Sequence, residues 1–103
     1  PGSGNLAVLV ALDFGEPDYA ESVDELQLLA RSGGVTVTTL VRGRRDRPDA
    51  ALYAGKGKVE EIGEAVRASG ASLVLFNHAL SPIQERNLER KLGCRVVDRT
   101  SLI

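Results

Sequence analysis

At 103 residues, with 43% hydrophobic and only 4% aromatic side chains, the chain has room for one aliphatic core and too much apolar content for a disordered tail. Its single cysteine, Cys94, excludes an internal disulfide framework and a multi-cysteine metal site, and a net charge of −1 gives no global pull toward nucleic acid. No apolar run approaches the ~20 residues of a membrane-spanning helix and no signal peptide is visible, so a cytoplasmic protein is expected.

Pro1-Gly2-Ser3-Gly4 reads as the remnant of an expression tag, leaving one domain over residues 5–103. Leu6 to Leu12 is an unbroken apolar run, the pattern of a strand buried on both faces. Ser22-x-x-Glu25 is a capping box that predicts a helix start at Ser22. Val23, Leu26, Leu29 and Ala30 form its apolar stripe, and Gly33-Gly34 its end. The β-branched run Val35–Val41 predicts a second strand, and its polar alternation an edge position.

Arg42 to Gly57 has no period and contains Gly43, Pro48, Gly55 and Gly57, so a long loop is expected there. A second helix is expected from about Lys58 to Ser69-Gly70, with Val59, Ile62 and Val66 on one face. Leu73–Phe76 predicts a third strand. Ser81-Pro82-x-Gln84 supplies an N-cap, an N1 proline and an N3 amide, starting a third helix that ends at Gly93. Arg95–Asp98 closes as a fourth strand. The reading is an α/β fold: a four-stranded, mainly parallel sheet flanked by helices, in strand order 2-1-3-4. Ser101-Leu102-Ile103 opens a further apolar segment, as if the domain were excised from a longer parent.

The charge is unevenly spread. Asp13, Glu16, Asp18, Glu21, Asp24 and Glu25 form an acidic stretch without a lysine or arginine, whereas Arg42, Arg44, Arg45, Arg47, Lys56 and Lys58 crowd the loop. Arginine forks suit phosphates bidentately, and Lys56 and Lys58 sit at a helix N-terminus that favours anions. This group is the candidate anion or RNA-binding surface. The same arginines could instead be neutralised by Asp46, Asp49 and the acidic first helix. Tyr53 could stack on a base or anchor the loop to the core; anchoring is the simpler role.

In parallel sheets ligands bind beyond the carboxyl ends of the strands. Asp13, Gly15, Asn77, Ser81, Gln84, Asn87, Asp98 and Arg99 fall at that edge and make a candidate crevice, with an adenine nucleotide as one possible occupant. Asp13 and Asp98 could pair around a metal, although an arginine neighbour is the simpler partner for Asp98. The amides of Gln84 and Asn87 either satisfy loop backbone or face a partner. Gly55-Lys56-Gly57-Lys58 lacks the spacing and the hydroxyl of a nucleotide-binding P-loop, and no Gly-x-Gly-x-x-Gly follows the first strand. His78, the only histidine, reads as a loop residue and Cys94 as a small apolar group, so neither catalytic nor metal residues are assigned.

Three motifs in order carry a resemblance. Arg44-Arg45-Asp46-Arg47-Pro48-Asp49 followed by Tyr53-x-Gly55-Lys56-Gly57-Lys58-Val59-Glu60-Glu61 is the first. Phe76-Asn77-x-x-Leu80-Ser81-Pro82-x-Gln84-x-Arg86-Asn87-Leu88-Glu89 and Val97-Asp98-Arg99-Thr100-x-Leu102-Ile103 complete it. The chain from about Leu6 onward resembles the N-terminal domain of the HflX family of ribosome-associated GTPases, departing from it at Ala54, where relatives often carry a larger aliphatic. The resemblance implies a parent in which a helical region joins this domain to a GTPase domain binding GTP and Mg. It also implies the large ribosomal subunit and its rRNA as partner, and ribosome splitting or rescue as the activity. It leaves open that the domain regulates its own GTPase domain.

Overall fold

The computed structural model describes residues 6–102; the expected tag remnant and the terminal Ile103 lie outside the described residues. The elements are β1 (Leu6–Asp13), α1 (Tyr19–Ser32), β2 (Thr36–Arg44), α2 (Lys56–Ser69), β3 (Leu73–Phe76), α3 (Pro82–Leu92) and β4 (Arg95–Asp98), followed by a 3₁₀ turn over Arg99–Leu102. The four strands form one sheet in the order β2-β1-β3-β4, with every pairing parallel. The expected α/β architecture and strand order are therefore found.

β1 is apolar throughout because each face of the sheet is covered. Leu9 and Ala11 meet Val23, Leu26 and Ala30 of α1 on one side. Val8, Val10 and Leu12 meet Val59, Ile62 and Val66 of α2 and Leu88 of α3 on the other. Leu9, Leu12, Leu26, Ile62 and Phe76 are all fully buried, each stabilising the fold by about 1.5–3 kcal/mol relative to exposure. β2 is an edge strand, blunted by a bulge. The register skips Thr38 between Ala7 and Val8, and the Thr38 hydroxyl donates to the Ala7 carbonyl at 3.1 Å.

Three boundaries differ from the sequence reading by more than one residue. α1 starts at Tyr19, a turn before Ser22. The Tyr19 ring packs into the α1-side core and its hydroxyl donates to the Ala11 carbonyl at 3.2 Å. The Ser22 hydroxyl turns back to the Tyr19 carbonyl at 2.7 Å instead of capping. β2 runs to Arg44 instead of Val41, because β1 itself continues to Asp13 and pairs Ala11, Leu12 and Asp13 with Arg42, Gly43 and Arg44. α2 starts at Lys56 instead of Lys58. The expected loop of residues 42–57 thus shrinks to residues 45–55.

α3 begins as the sequence dictates. The Ser81 hydroxyl accepts from the Gln84 N–H at 3.2 Å, the Gln84 side-chain oxygen accepts from the Ser81 N–H at 3.0 Å, and Pro82 follows the cap.

Candidate functional site

The carboxyl ends of β1, β2 and β3 open onto the loop of residues 45–55, which is tied down at nearly every residue. The Arg45 N–H donates to the Asp13 carbonyl at 3.0 Å, extending the strand pairing by one residue. Asp49 and Tyr53 exchange two backbone hydrogen bonds of 2.9 and 3.0 Å. Inside that bridge the Asp49 carboxylate accepts from the Ala51 and Leu52 N–H groups at 3.0 and 2.7 Å. α3 holds the outside: Gln84 Nε2 donates to the Asp49 carbonyl at 2.9 Å and Asn87 Nδ2 to the Ala51 carbonyl at 3.0 Å. The amides of α3 therefore satisfy loop backbone.

Tyr53 is the loop's anchor. It is 6% exposed, and its ring lies 5.7 Å from Phe14, 6.0 Å from Phe76 and 6.2 Å from His78. Its φ of 63° is an outlier for a bulky residue. Such backbone costs on the order of 1–3 kcal/mol and persists where the surroundings over-determine it, as these aromatic contacts do. Burial, and then the charges of Glu16 and Asp98, push the Tyr53 phenol well above the usual tyrosine range.

The six basic residues fall into two groups. Lys58 and Arg45 are braces. Lys58 Nζ donates to the Arg42 carbonyl and to Glu61 Oε1, both at 2.8 Å. Its stem crosses so close to Gly43 that a Cβ there would lie 2.8 Å from Lys58 Cε. Arg45 donates from Nε to the Arg47 carbonyl at 3.2 Å and from Nη1 to the Ala54 carbonyl at 3.3 Å. Its guanidinium covers Gly55 so closely that an added Cβ would overlap it, and Gly55 also holds φ 84°, ψ 157°. Arg42, Arg44, Arg47 and Lys56, in contrast, are exposed. Among the described residues Lys58 pairs with Glu61 and His78 Nε2 lies 3.5 Å from Glu16, and Arg42, Arg44, Arg47 and Lys56 form no ion pair with Asp46, Asp49 or α1.

Lys56 and Lys58 stand in the first turn of α2, which holds no acidic residue and no side-chain cap. Cations there oppose the positive end of the helix dipole.

The crevice residues do something different. Asn77, 1% exposed, continues β3 with its side chain: Oδ1 accepts from the Leu12 N–H at 2.9 Å and Nδ2 donates to the Leu12 carbonyl at 3.2 Å. Asp13 Oδ1 accepts from the Gly15 N–H at 2.8 Å. Asp98 Oδ2 accepts from the Leu80 N–H at 2.8 Å, while Oδ1 accepts from the Thr100 N–H and hydroxyl. Ser81, Gln84 and Asn87 are the cap and loop ties already described. Between Asn77, His78, Glu16, Asp18, Arg99 and Thr100 lies an open cavity of about 370 Å³. His78 Nε2 is 3.1 Å from the Leu12 carbonyl and 3.5 Å from Glu16. Among the described residues no group of three or more His, Cys, Asp or Glu side chains gathers at metal-binding distance.

The sequence reading passed over Arg90 and Lys91. With Asn87 on α3, and with Ala51 and Leu52 on the loop, they line a second groove of about 460 Å³. Only the folded loop brings these segments together.

A family model described as "GTP-binding GTPase N-terminal" matches residues 20–103. The GTPase HflX of Escherichia coli is 50% identical over 98% of the chain, and the GTPase HflX of Caldanaerobacter subterraneus subsp. tengcongensis 39% identical over 94%. The chain spans 24% and 22% of the lengths of these two proteins. A GTP-binding protein from Sulfolobus solfataricus, solved with GDP, superposes with a TM-score of 0.64 at 21% identity over 95% of this chain and 28% of its own. The G235S variant of the protein called SsGBP superposes at 0.74 and 21% identity, over 95% of this chain and 30% of its own. At that identity the structures show a shared fold.

Proposed function

The chain belongs to the GTP-binding GTPase N-terminal family as an HflX N-terminal domain, and from that premise we propose that it is an RNA-binding and regulatory domain that docks its parent on the rRNA of the large ribosomal subunit. In this reading residues 5–103 form one domain of a cytoplasmic GTPase that splits or rescues ribosomes, with GTP and Mg held elsewhere in the parent.

One observation carries the reading: the fastened loop presents Arg47, and the strand and helix ends that flank it present Arg42, Arg44 and Lys56, all exposed and without ion pairs among the described residues. Preorganised cations bind phosphate without the entropic cost of ordering a loop. An adenine nucleotide in the crevice has less support. Asn77, Ser81, Gln84, Asn87 and Asp98 direct hydrogen bonds to their own backbone, and Glu16 and Asp18 would face its phosphates.

The test is the salt dependence of binding to large-subunit rRNA. Each phosphate contact contributes about 0.7–0.9 to the slope of log K against log salt, so R42A/R44A/R47A is expected to flatten it by about 2–3. An unchanged slope refutes the assignment.

A further inference from the structure

We propose that the groove between the loop and α3 is a subsite for one unpaired nucleotide of an RNA strand, an inference that rests on the RNA-binding reading above and names the form of RNA the domain takes. The groove is preformed, because Asn87 Nδ2 donates to the Ala51 carbonyl at 3.0 Å and so fixes one wall against the other. Its volume of about 460 Å³ falls within the ~300–1,000 Å³ of small-molecule pockets.

The lining matches the parts of a nucleotide. Ala51 and Leu52 give an apolar floor for the face of a base or ribose. The bond to the Ala51 carbonyl fixes the orientation of the Asn87 amide, so Oδ1 is left as an acceptor. Among the described residues nothing donates to it, and it suits the exocyclic amino group or imino N–H of a base edge. Arg90 and Lys91 stand exposed at the rim, without ion pairs among the described residues, where a phosphodiester would pass. The nearest acid on α3, Glu89, is taken by the Val96 N–H at 3.1 Å. Glu60 and Glu64 line a neighbouring groove with Arg67, and Lys91 borders both grooves.

The occupant is RNA because the groove continues the loop surface. Its floor residues follow Arg47 by four and five positions in the same tied-down loop, and the one acid between them, Asp49, is engaged by the Ala51 and Leu52 N–H groups. The nucleotide is unpaired because a duplex keeps its base faces stacked inside, and only a splayed nucleotide can enter a recess of this size.

The experiment titrates the 103-residue chain with a single-stranded octauridylate and with a blunt, fully paired RNA duplex. The variants are R90A/K91A and R42A/R44A/R47A. The subsite predicts that R90A/K91A weakens octauridylate binding about tenfold while duplex binding stays within about twofold. Crosslinks from a 4-thiouridine version should map to residues 51–52 or 87–91. Equal weakening of both RNAs, no weakening of either, or crosslinks confined to residues 42–48 overturns the subsite.

The loop variant reports separately. If it weakens both RNAs while the groove variant weakens neither, the groove fails and the loop reading stands. If it weakens neither while the groove variant weakens octauridylate, the loop reading fails and the groove stands. An acidic, leucine-containing peptide that binds more tightly than octauridylate and is lost in R90A/K91A overturns the RNA assignment.

Discussion

Gly55→Ala probes whether the loop is held as described, and its cost follows from two features. Gly55 holds φ 84°, ψ 157°, a region essentially confined to glycine and costing other residues about 1–3 kcal/mol. The new Cβ would also overlap Arg45 Nη1 and lie 3.0 Å from its Cζ. The guanidinium must then leave the Ala54 and Arg47 carbonyls, losing two partly solvated hydrogen bonds at about 0.5 kcal/mol each. The expected destabilisation is about 2–4 kcal/mol, read from urea unfolding at constant m. Gly57, two residues on, is the control. It lies in the first turn of α2 with nothing within 4 Å of an added Cβ. Gly57→Ala should therefore stabilise by up to about 0.5–1 kcal/mol. Glycines two positions apart should respond with opposite sign. A Gly55→Ala protein within about 0.5 kcal/mol of the unsubstituted chain would show that position 55 tolerates a side chain and that Arg45 does not hold it. A Gly57→Ala protein that is equally damaged would contradict the opposite signs.

Asn77→Ala removes both bonds to Leu12 and leaves a buried N–H without a partner; a loss of about 2–4 kcal/mol is expected in the same assay, and a loss below 1 kcal/mol would contradict it. Tyr53 predicts an alkaline weakness. Its folded pKa is raised by burial and by Glu16 and Asp98, so above pH ~10 the unfolded phenol releases its proton while the folded one keeps it. Stability should then fall by about 1.4 kcal/mol per pH unit. Comparing urea midpoints of the parent and Tyr53→Phe at pH 9, 10 and 11 isolates this contribution. Parallel curves would show that Tyr53 ionises alike in both states.

The fold was legible because its signals are local and agree with one another. The two-sided apolar run of β1, the Ser81-Pro82-x-Gln84 cap and the glycines after α2 and α3 each dictate one element. Errors arose where a distant partner outweighed the local signal. Ser22-x-x-Glu25 has the form of a cap, yet Tyr19 finds Ala11 and the core one turn earlier. Gly43 reads as a breaker, yet pairing with Leu12 and the crossing Lys58 stem keep it in β2.

The site was legible in composition more than in roles. Six cations stand out in the sequence, but only the folded chain separates the braces Arg45 and Lys58 from the exposed Arg42, Arg44, Arg47 and Lys56. Asn87 and Gln84 could be read either way until the loop carbonyls they meet were located. The groove beside Arg90 joins segments about 35 residues apart, with no trace in the local pattern.

In the proposed function Arg42, Arg44 and Arg47 themselves meet ribosomal RNA. Limited trypsin digestion of the chain, alone and with purified large ribosomal subunits, reports on Arg42 and Arg44, after which trypsin cuts; the Arg47–Pro48 bond resists it. Cleavage after Arg42 and Arg44 is expected to slow strongly with subunits present, while cleavage after Arg31, which lies beside Val35, Thr36 and Val37 at the opposite end of β2, is unchanged. Undiminished cleavage after Arg42 and Arg44 at saturating subunits would contradict it.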